Sequence, residues 1–461
     1  MKILVLNGSP KGDLSVTLQY VHYLQKVNPE CSFKTYNIGQ QIRKIENDPA
    51  FFAEIIEQVR QADGVLWAFP LYILIVHAHY KRFIELIFER GVQSTFAGKY
   101  AATLSTSIHF FDHTAHNYMH GICDDLGMRF VEAFSPDIVD LLEEKGRAQL
   151  EQFGRHFLEA IRMQSPYQRR YPVIQPREFT YEPGPAPLPV QTGGKKVVIL
   201  HDGIRLNSNI DRLVARCQAN FSGAVTVIDL NDIEMKASCQ GCLKCGASYH
   251  CAFEGKDGFI DFYRAQVMAA DLLIYAGTIV DRYLSSRWKT FFDRSFFNTH
   301  TPVLAGKQVA FVISGPYSQL PNLNEILMGY VEFQMAHVVG IVSDEYGSSA
   351  EIDALVDRLM GSMLSQAVED SSRPMTFLGI GGMKIFRDDI WGRIRIIFPA
   401  DHNAYKKLGF YKTFPQNDLR QRLLNLVMMP LLSIPKFREE FNKQMLHQMI
   451  RPLQQKVDQA G

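Results

Sequence analysis

The chain repeats itself. Lys196-Val-Val-Ile-Leu-His matches Lys2-Ile-Leu-Val-Leu-Asn at an offset of 194 residues, and Arg205 falls opposite Lys11 at the same offset. Further on the offset becomes 208: Ala270-Asp271 matches Ala62-Asp63, Lys289 matches Lys81, and Gly306-Lys307 matches Gly98-Lys99. A plan used twice constrains the fold strongly, because both copies must bury the same pattern. In the first copy Lys2-Ile-Leu-Val-Leu reads as a buried strand, Asn7 to Asp13 as a polar turn, and Ser15 onward as a helix. A helix over 51–61, a strand from Gly64, a loop at Pro70, a helix near 80–89 and a strand at Tyr100 continue the alternation. This predicts an α/β fold with two doubly wound parallel sheets and ligands at the carboxyl ends of the strands.

Between the copies, residues 165–194 hold seven of the chain's 21 prolines and end in Gly193-Gly194, a composition that predicts an extended connector. The expected division is therefore a domain over 1–164, a linker over 165–194, a second domain over 195–373 and an extension over 374–461. A chain of 461 residues is too long for one ordinary core, in keeping with that division. Gly379-Ile-Gly-Gly-Met reads as a flexible junction. Residues 384–461 carry 14 Lys/Arg against 7 Asp/Glu, with apolar residues at helical spacing over 419–429 and 437–453. This predicts a helical appendage that packs on the body or a second subunit, or else a basic amphipathic surface for an anionic membrane or acidic protein.

The step from 194 to 208 means that the second copy gains 14 net residues before its Ala-Asp pair. Within that interval lie Cys239, Cys242, Cys245 and Cys251, so the cysteines read as a loop inserted beside the second copy's ligand cleft. Four thiolates suit a tetrahedral zinc or the four irons of a [4Fe–4S] cubane; a redox thiol pair without metal is the third reading. The opening residues lack the apolar core of a secretory signal, and no apolar run approaches a membrane span. The expectation is a cytoplasmic protein with reduced cysteines and no transmembrane segment. The net charge of +1 gives no overall drive towards nucleic acid.

In the first turn, Ser9, Lys11, Ser15 and Thr17 supply hydroxyl and ammonium donors where a loop opens a helix, an arrangement suited to an anion. His109, His113, His116 and His120 fall at spacings that place them on one helical face, so a metal site there is a further reading. Trp67, mid-strand, reads as core.

Asn7-Gly-Ser-Pro-Lys with Ser15 and Thr17 resembles the phosphate loop of the flavodoxin-like NAD(P)H-dependent FMN reductases. Ala68-Phe-Pro-Leu-Tyr-Ile…Lys81-Arg-Phe-Ile resembles the segment of that family that lines the isoalloxazine ring. Cys239-x2-Cys242-x2-Cys245-x5-Cys251 resembles the compact cysteine motif of the iron–sulfur flavoproteins, which carries a [4Fe–4S] cluster near FMN. The resemblance covers about residues 1–165 and 195–370. It implies two flavodoxin-like sheets of order 2-1-3-4-5, with the FMN phosphate on Ser9, Lys11, Ser15 and Thr17. The ring face would lie on Pro70, Leu71, Tyr72 and Ile73, and its edge on Ser105, Thr106, Ser107 and His109.

The second copy departs from the pattern. Its loop lacks Gly-Ser-Pro and has Thr278-Ile-Val-Asp in place of Pro70-Leu-Tyr-Ile, though Arg205, Ser208 and Asn209 could hold a second phosphate. The implied function is flavin-dependent electron transfer, with NAD(P)H as donor and a small molecule or ferredoxin-type protein as redox partner. A homo-oligomer is expected. The rival readings are an FMN-only quinone or nitro-group reductase, and a non-catalytic assembly module with structural zinc. The cysteines and the better FMN loop lie on different copies, so the two must face each other if both serve one reaction.

Overall fold

A computed structural model of the chain describes residues 1–203, 205–413 and 418–460. The first copy runs β1 (Lys2–Asn7), α1 (Val16–Val27), β2 (Ser32–Tyr36), α2 (Ile38–Asn47), α3 (Pro49–Gln61), β3 (Gly64–Pro70), α4 (Ala78–Glu89), β4 (Tyr100–Thr106), α5 (Asp112–Asp125), β5 (Arg129–Phe134) and α6 (Glu144–Arg162). Next come β6 (Val190–Gln191), β7 (Val197–His201), α7 (Asn209–Ala219), β8 (Phe221–Ser222), β9 (Val225–Asp229), α8 (Phe259–Phe262), β10 (Leu272–Thr278), α9 (Ser286–Ser295), β11 (Gln308–Ser314), α10 (Pro321–Phe333), β12 (His337–Ser343) and α11 (Ser349–Val368). The extension adds α12 (Phe377–Gly392), α13 (Pro399–Lys407), α14 (Leu419–Leu432) and α15 (Pro435–Asp458). The chain divides after Asp401 into two compact units.

Each copy builds one five-stranded parallel sheet, ordered β2-β1-β3-β4-β5 in the first and β9-β7-β10-β11-β12 in the second. Both are the flavodoxin order 2-1-3-4-5. The repeat extends to the hydrogen-bond register. Val5 pairs with Leu66 and Ile199 with Ile274, which are the same positions shifted by 194 and 208. Leu66 pairs with Ala102 and Ile274 with Ala310, both shifted by 208. The central strands are buried along nearly their whole length because helices cover both faces of each sheet. Trp67 lies fully buried in β3, as core.

Polar residues start the helices where the sequence places them. Ser15 accepts a hydrogen bond from the Leu18 amide, and Asp48, with Pro49 behind it, caps α3. Ser348 and Glu351 form a complete capping box on α11. The connector has no helix or strand over residues 166–189, and it packs on the second copy. It adds β6 alongside β8, and Tyr181 is wholly buried with its hydroxyl on Asp353. The glycine cluster departs from the expectation. Instead of a flexible junction, Gly379 and Gly382 lie inside α12, where a Cβ would strike Glu332 and Phe110. Small residues there let the helix approach α10 and the loop after β4 closely.

The two copies meet through α4 and α9, and the contact is reciprocal. Glu85 of α4 accepts from the Ser286 amide (2.6 Å) and hydroxyl (2.6 Å) at the start of α9. Asp293 of α9 accepts from the Ala78 amide (2.9 Å) at the start of α4. Glu85 and Asp293 are 208 residues apart, as are Ala78 and Ser286. Each carboxylate sits on the positive end of the other helix. Lys81 is fully buried between Glu85 and Asp281, 2.9 Å from each. Burial alone would depress its pKa, but the two carboxylates outweigh burial and leave it raised.

Candidate functional site

The first turn is folded on itself around Asn7. Its side-chain oxygen accepts from the Ser9 amide (3.1 Å), and its amide donates to Gly12 O (3.2 Å) and Asn37 (2.8 Å). Gly12 has φ +56°, in the left-handed region, and a Cβ there would meet the Gln40 side chain. Gly39 lies so close behind the turn that a Cβ would fall 2.2 Å from Gly8 O. Thr17 is buried, and its hydroxyl meets that of Thr106 at 2.6 Å, tying the first loop to the third. The Leu71 amide donates to Thr106 O (3.2 Å), which ties the second loop to the third.

These loops open into a cavity of about 260 Å³. Of the residues read from the sequence, Ser9, Lys11, Ser15, Pro70, Leu71, Tyr72, Thr106 and Ser107 line it. Thr17 supports it from behind. Ile73 lines a smaller neighbouring cavity instead. Ser105 points away: its hydroxyl bonds His116 (2.8 Å) and Ser135 (3.1 Å). His109 is half exposed and paired with Asp112 at 2.9 Å. Nor do the four histidines come together at one point. His113 pairs with Glu325, His116 sits between Thr103 and Ser105, and His120 stacks on Phe130. α5 begins only at Asp112, which leaves His109 outside the helix.

The cysteine loop does not lie beside the second copy's own cleft. Cys239, Gly241 and Leu243 form part of the roof of the first copy's cavity. Gly241, at φ +59°, is packed so tightly that a Cβ would meet Tyr72 Oη at 2.4 Å and Lys11 Cε at 3.2 Å. The root of the loop is fixed by first-copy residues. His77 Nε2 donates to Cys239 O (2.7 Å), and His79 Nδ1 donates to Gly39 O (2.7 Å) while its Nε2 accepts from the Ser238 amide (3.4 Å). Ser238 Oγ donates to Asp293 (3.0 Å). Burial depresses His77 to about 3, so it is neutral.

All four cysteines line one small void together with Phe253, Arg294, Phe296 and Phe297. Burial pushes the Cys239 and Cys245 thiols up to about 12. Among the described residues no three His, Cys, Asp or Glu side chains converge closely enough to hold one metal ion.

The rest of the roof was not foreseen. Phe296 and His300 follow α9, and Phe386, Ile394, Ile397 and Phe398 come from the extension. His300 packs its ring on Phe386 with centroids 3.9 Å apart. Its orientation is set by the fully buried Asp401, which also accepts from the His300 amide (3.2 Å) and the Thr301 hydroxyl (2.8 Å).

The corresponding place in the second copy is taken by a protein carboxylate. Asp344 accepts from Ser314 Oγ (2.7 Å), the Gly315 amide (2.8 Å) and Asn209 Nδ2 (2.8 Å). Ser314 and Gly315 stand at the repeat positions of Thr106 and Ser107, and Asn209 is the first residue of α7, one past the cap Ser208 that answers the cap Ser15. Asn209 is also bound on both sides by the connector, accepting from the Tyr181 amide and donating to Phe179 O. Ser208 caps α7, and Arg205 is exposed.

The family model for NADPH-dependent FMN reductase matches residues 1–135 and 195–346, one match in each copy. The chain belongs to the NADPH-dependent FMN reductase family. It is thus an FMN-dependent oxidoreductase in which the family's unit occurs twice. No curated protein matches it. Solved structures similar to it include an NADH:FMN oxidoreductase in apo form (20% identity; 34% of this chain and 89% of that chain; TM-score 0.31). A second is the NAD(P)H:(acceptor) oxidoreductase FerB from Paracoccus denitrificans (20%; 35% and 97%; TM-score 0.30). A third is an FMN-dependent NADH-azoreductase from Bacillus anthracis in complex with FMN (12%; 36% and 100%; TM-score 0.27).

Proposed function

We propose that this reductase binds a single FMN in the first copy's cavity, takes electrons from NAD(P)H, and carries a [4Fe–4S] cluster on Cys239, Cys242, Cys245 and Cys251. The observation that carries this reading is that Cys239 lines the same cavity as Ser9, Lys11, Tyr72 and Ser107. FMN supplies two-electron and one-electron chemistry, and the cluster supplies single-electron exit to a small molecule or ferredoxin-type partner. Ser9, Lys11 and Ser15 hold the phosphate by hydroxyl and ammonium groups at the start of α1. Pro70, Leu71 and Tyr72 support the ring, Thr106 and Ser107 meet its edge, and the aromatic roof excludes water.

The choice of a cluster over zinc rests on the spacing Cys239-x2-Cys242-x2-Cys245-x5-Cys251. The second copy serves as a lid, since Asp344 already holds Ser314 and Gly315, which answer the ring-edge residues Thr106 and Ser107, and also Asn209 at the start of α7. The reading takes residues 1–164 and 195–373 as two domains joined by the linker 165–194, with residues 386–398 of the extension contributing the last part of the roof.

The test is anaerobic purification followed by absorbance and by iron, zinc and flavin analysis. The expected result is one FMN and about four irons per chain, with a broad absorbance that dithionite bleaches. Zinc without iron, or yellow protein whose electron transfer survives Cys242→Ala, would remove the cluster from the reading. Two FMN per chain would overturn the role given to the second copy.

A further inference from the structure

α14 is apolar on nearly every side. Leu419, Leu423, Leu424, Leu426, Val427 and Met429 are all exposed, with Leu423 at 64%, Leu426 at 71% and Met429 at 71%. A helix that is hydrophobic all round needs an apolar environment to cover it. α15 runs beside it and leaves Met449, Ile450 and Leu453 exposed as well. With 14 residues, α14 is too short for the roughly 20 needed to cross a bilayer, and no helix among the described residues is long and apolar enough to do so. A helix of this length and character is suited to lying in the interface.

The charge around it selects what that interface is. Residues 418–460 carry seven Lys/Arg against four Asp/Glu. Arg420 and Arg422 open α14, while Arg438, Lys443, Arg451 and Lys456 lie along α15, all of them exposed. A second copy covering this face across a two-fold axis would bring these cations against their own equivalents. An anionic bilayer meets both features at once: acyl chains take the leucines and headgroups take the arginines and lysines.

We infer that the α14–α15 hairpin docks the reductase on an anionic membrane surface, with the exposed leucines of α14 in the headgroup–acyl boundary. The experiment is flotation of the full-length, flavin-loaded protein with phosphatidylcholine vesicles, with and without phosphatidylglycerol. The protein should float with the mixed vesicles and stay behind with phosphatidylcholine alone. Arg420→Gln and Arg422→Gln should each weaken partitioning about fivefold at low salt. The pair Leu423→Asp and Leu426→Asp should abolish it. Neither set touches a cavity-lining residue, so FMN content and NAD(P)H oxidation in solution should stay at the wild-type level in both. Three results would overturn the inference: no flotation at low salt, flotation that Leu423→Asp with Leu426→Asp leaves intact, or a soluble dimer that this pair dissociates while vesicles bind nothing.

Discussion

At the scale of single residues, the site depends on side chains kept neutral by burial. His116 lies between Thr103 (2.7 Å) and Ser105 (2.8 Å), and burial lowers its pKa to about 4. In the unfolded chain it titrates near 6.5. The native state therefore gains nothing from His116 above that value, and loses stability as pH falls from about 6.5 towards 4, because unfolding then takes up a proton. Between pH 7 and pH 5 this single group should cost about 2 kcal/mol. Urea unfolding at the two pH values, with His116→Gln as control, checks it: the variant's stability should fall by about that much less. The same residue explains why Ser105 was misread from sequence. Side chains alternate along a strand, so when Thr106 faces the cavity Ser105 must face the other way, and His116 waits there. A strand's end can be found from sequence to within a residue or two, but that margin decides which face a side chain takes.

At the scale of elements, the α4–α9 pair holds the two copies together with carboxylates exchanged between helix starts. Glu85 is nearly inaccessible and bonds Lys81 and Ser286, so its removal strips a cap and one of two counter-charges from a buried lysine. Glu85→Ala should cost about 3 kcal/mol, read as a lower urea midpoint. Asp293→Ala should cost a similar amount and additionally loosen Ser238, which holds the root of the cysteine loop. This reciprocity was legible in outline: the offset of 208 that aligns Lys81 with Lys289 also aligns Glu85 with Asp293. The cysteine loop was legible as a departure from the repeat, but its destination was not. The residues between the second strand and the third are 37–63 in the first copy and 230–271 in the second. The first copy fills that stretch with α2 and α3, the second with the loop and a short α8. Sequence spacing locates the change but carries no record of which sheet it reaches over.

At the scale of the whole molecule, the proposed phosphate loop and ring platform belong to one copy, and much of the roof comes from the chain that follows. Phe386 and Phe398 close the cavity from outside the repeated fold. The joint change Phe386→Ala and Phe398→Ala should raise the FMN dissociation constant at least about tenfold, equivalent to ~1.4 kcal/mol, as read by flavin fluorescence titration. Circular dichroism should retain both sheets. The two-sheet fold followed from the repeat because parallel pairing, burial on both faces and loop position are all local consequences of a strand–helix alternation. The roof did not follow, because nothing local marks a helix such as α12 as the cover of a distant cleft.

The order of the chain also sets an order in time. Ser9 leaves the ribosome early, and Phe398, the last aromatic of the roof, emerges 389 residues later. At the usual ~5–20 residues per second that interval is about 20–80 s. Throughout it the nascent first copy can present its phosphate loop, but the pocket above that loop has no cover. With FMN in this cavity as proposed, stable flavin capture waits for the end of synthesis, and a chain that stalls before the extension emerges is expected to hold flavin weakly.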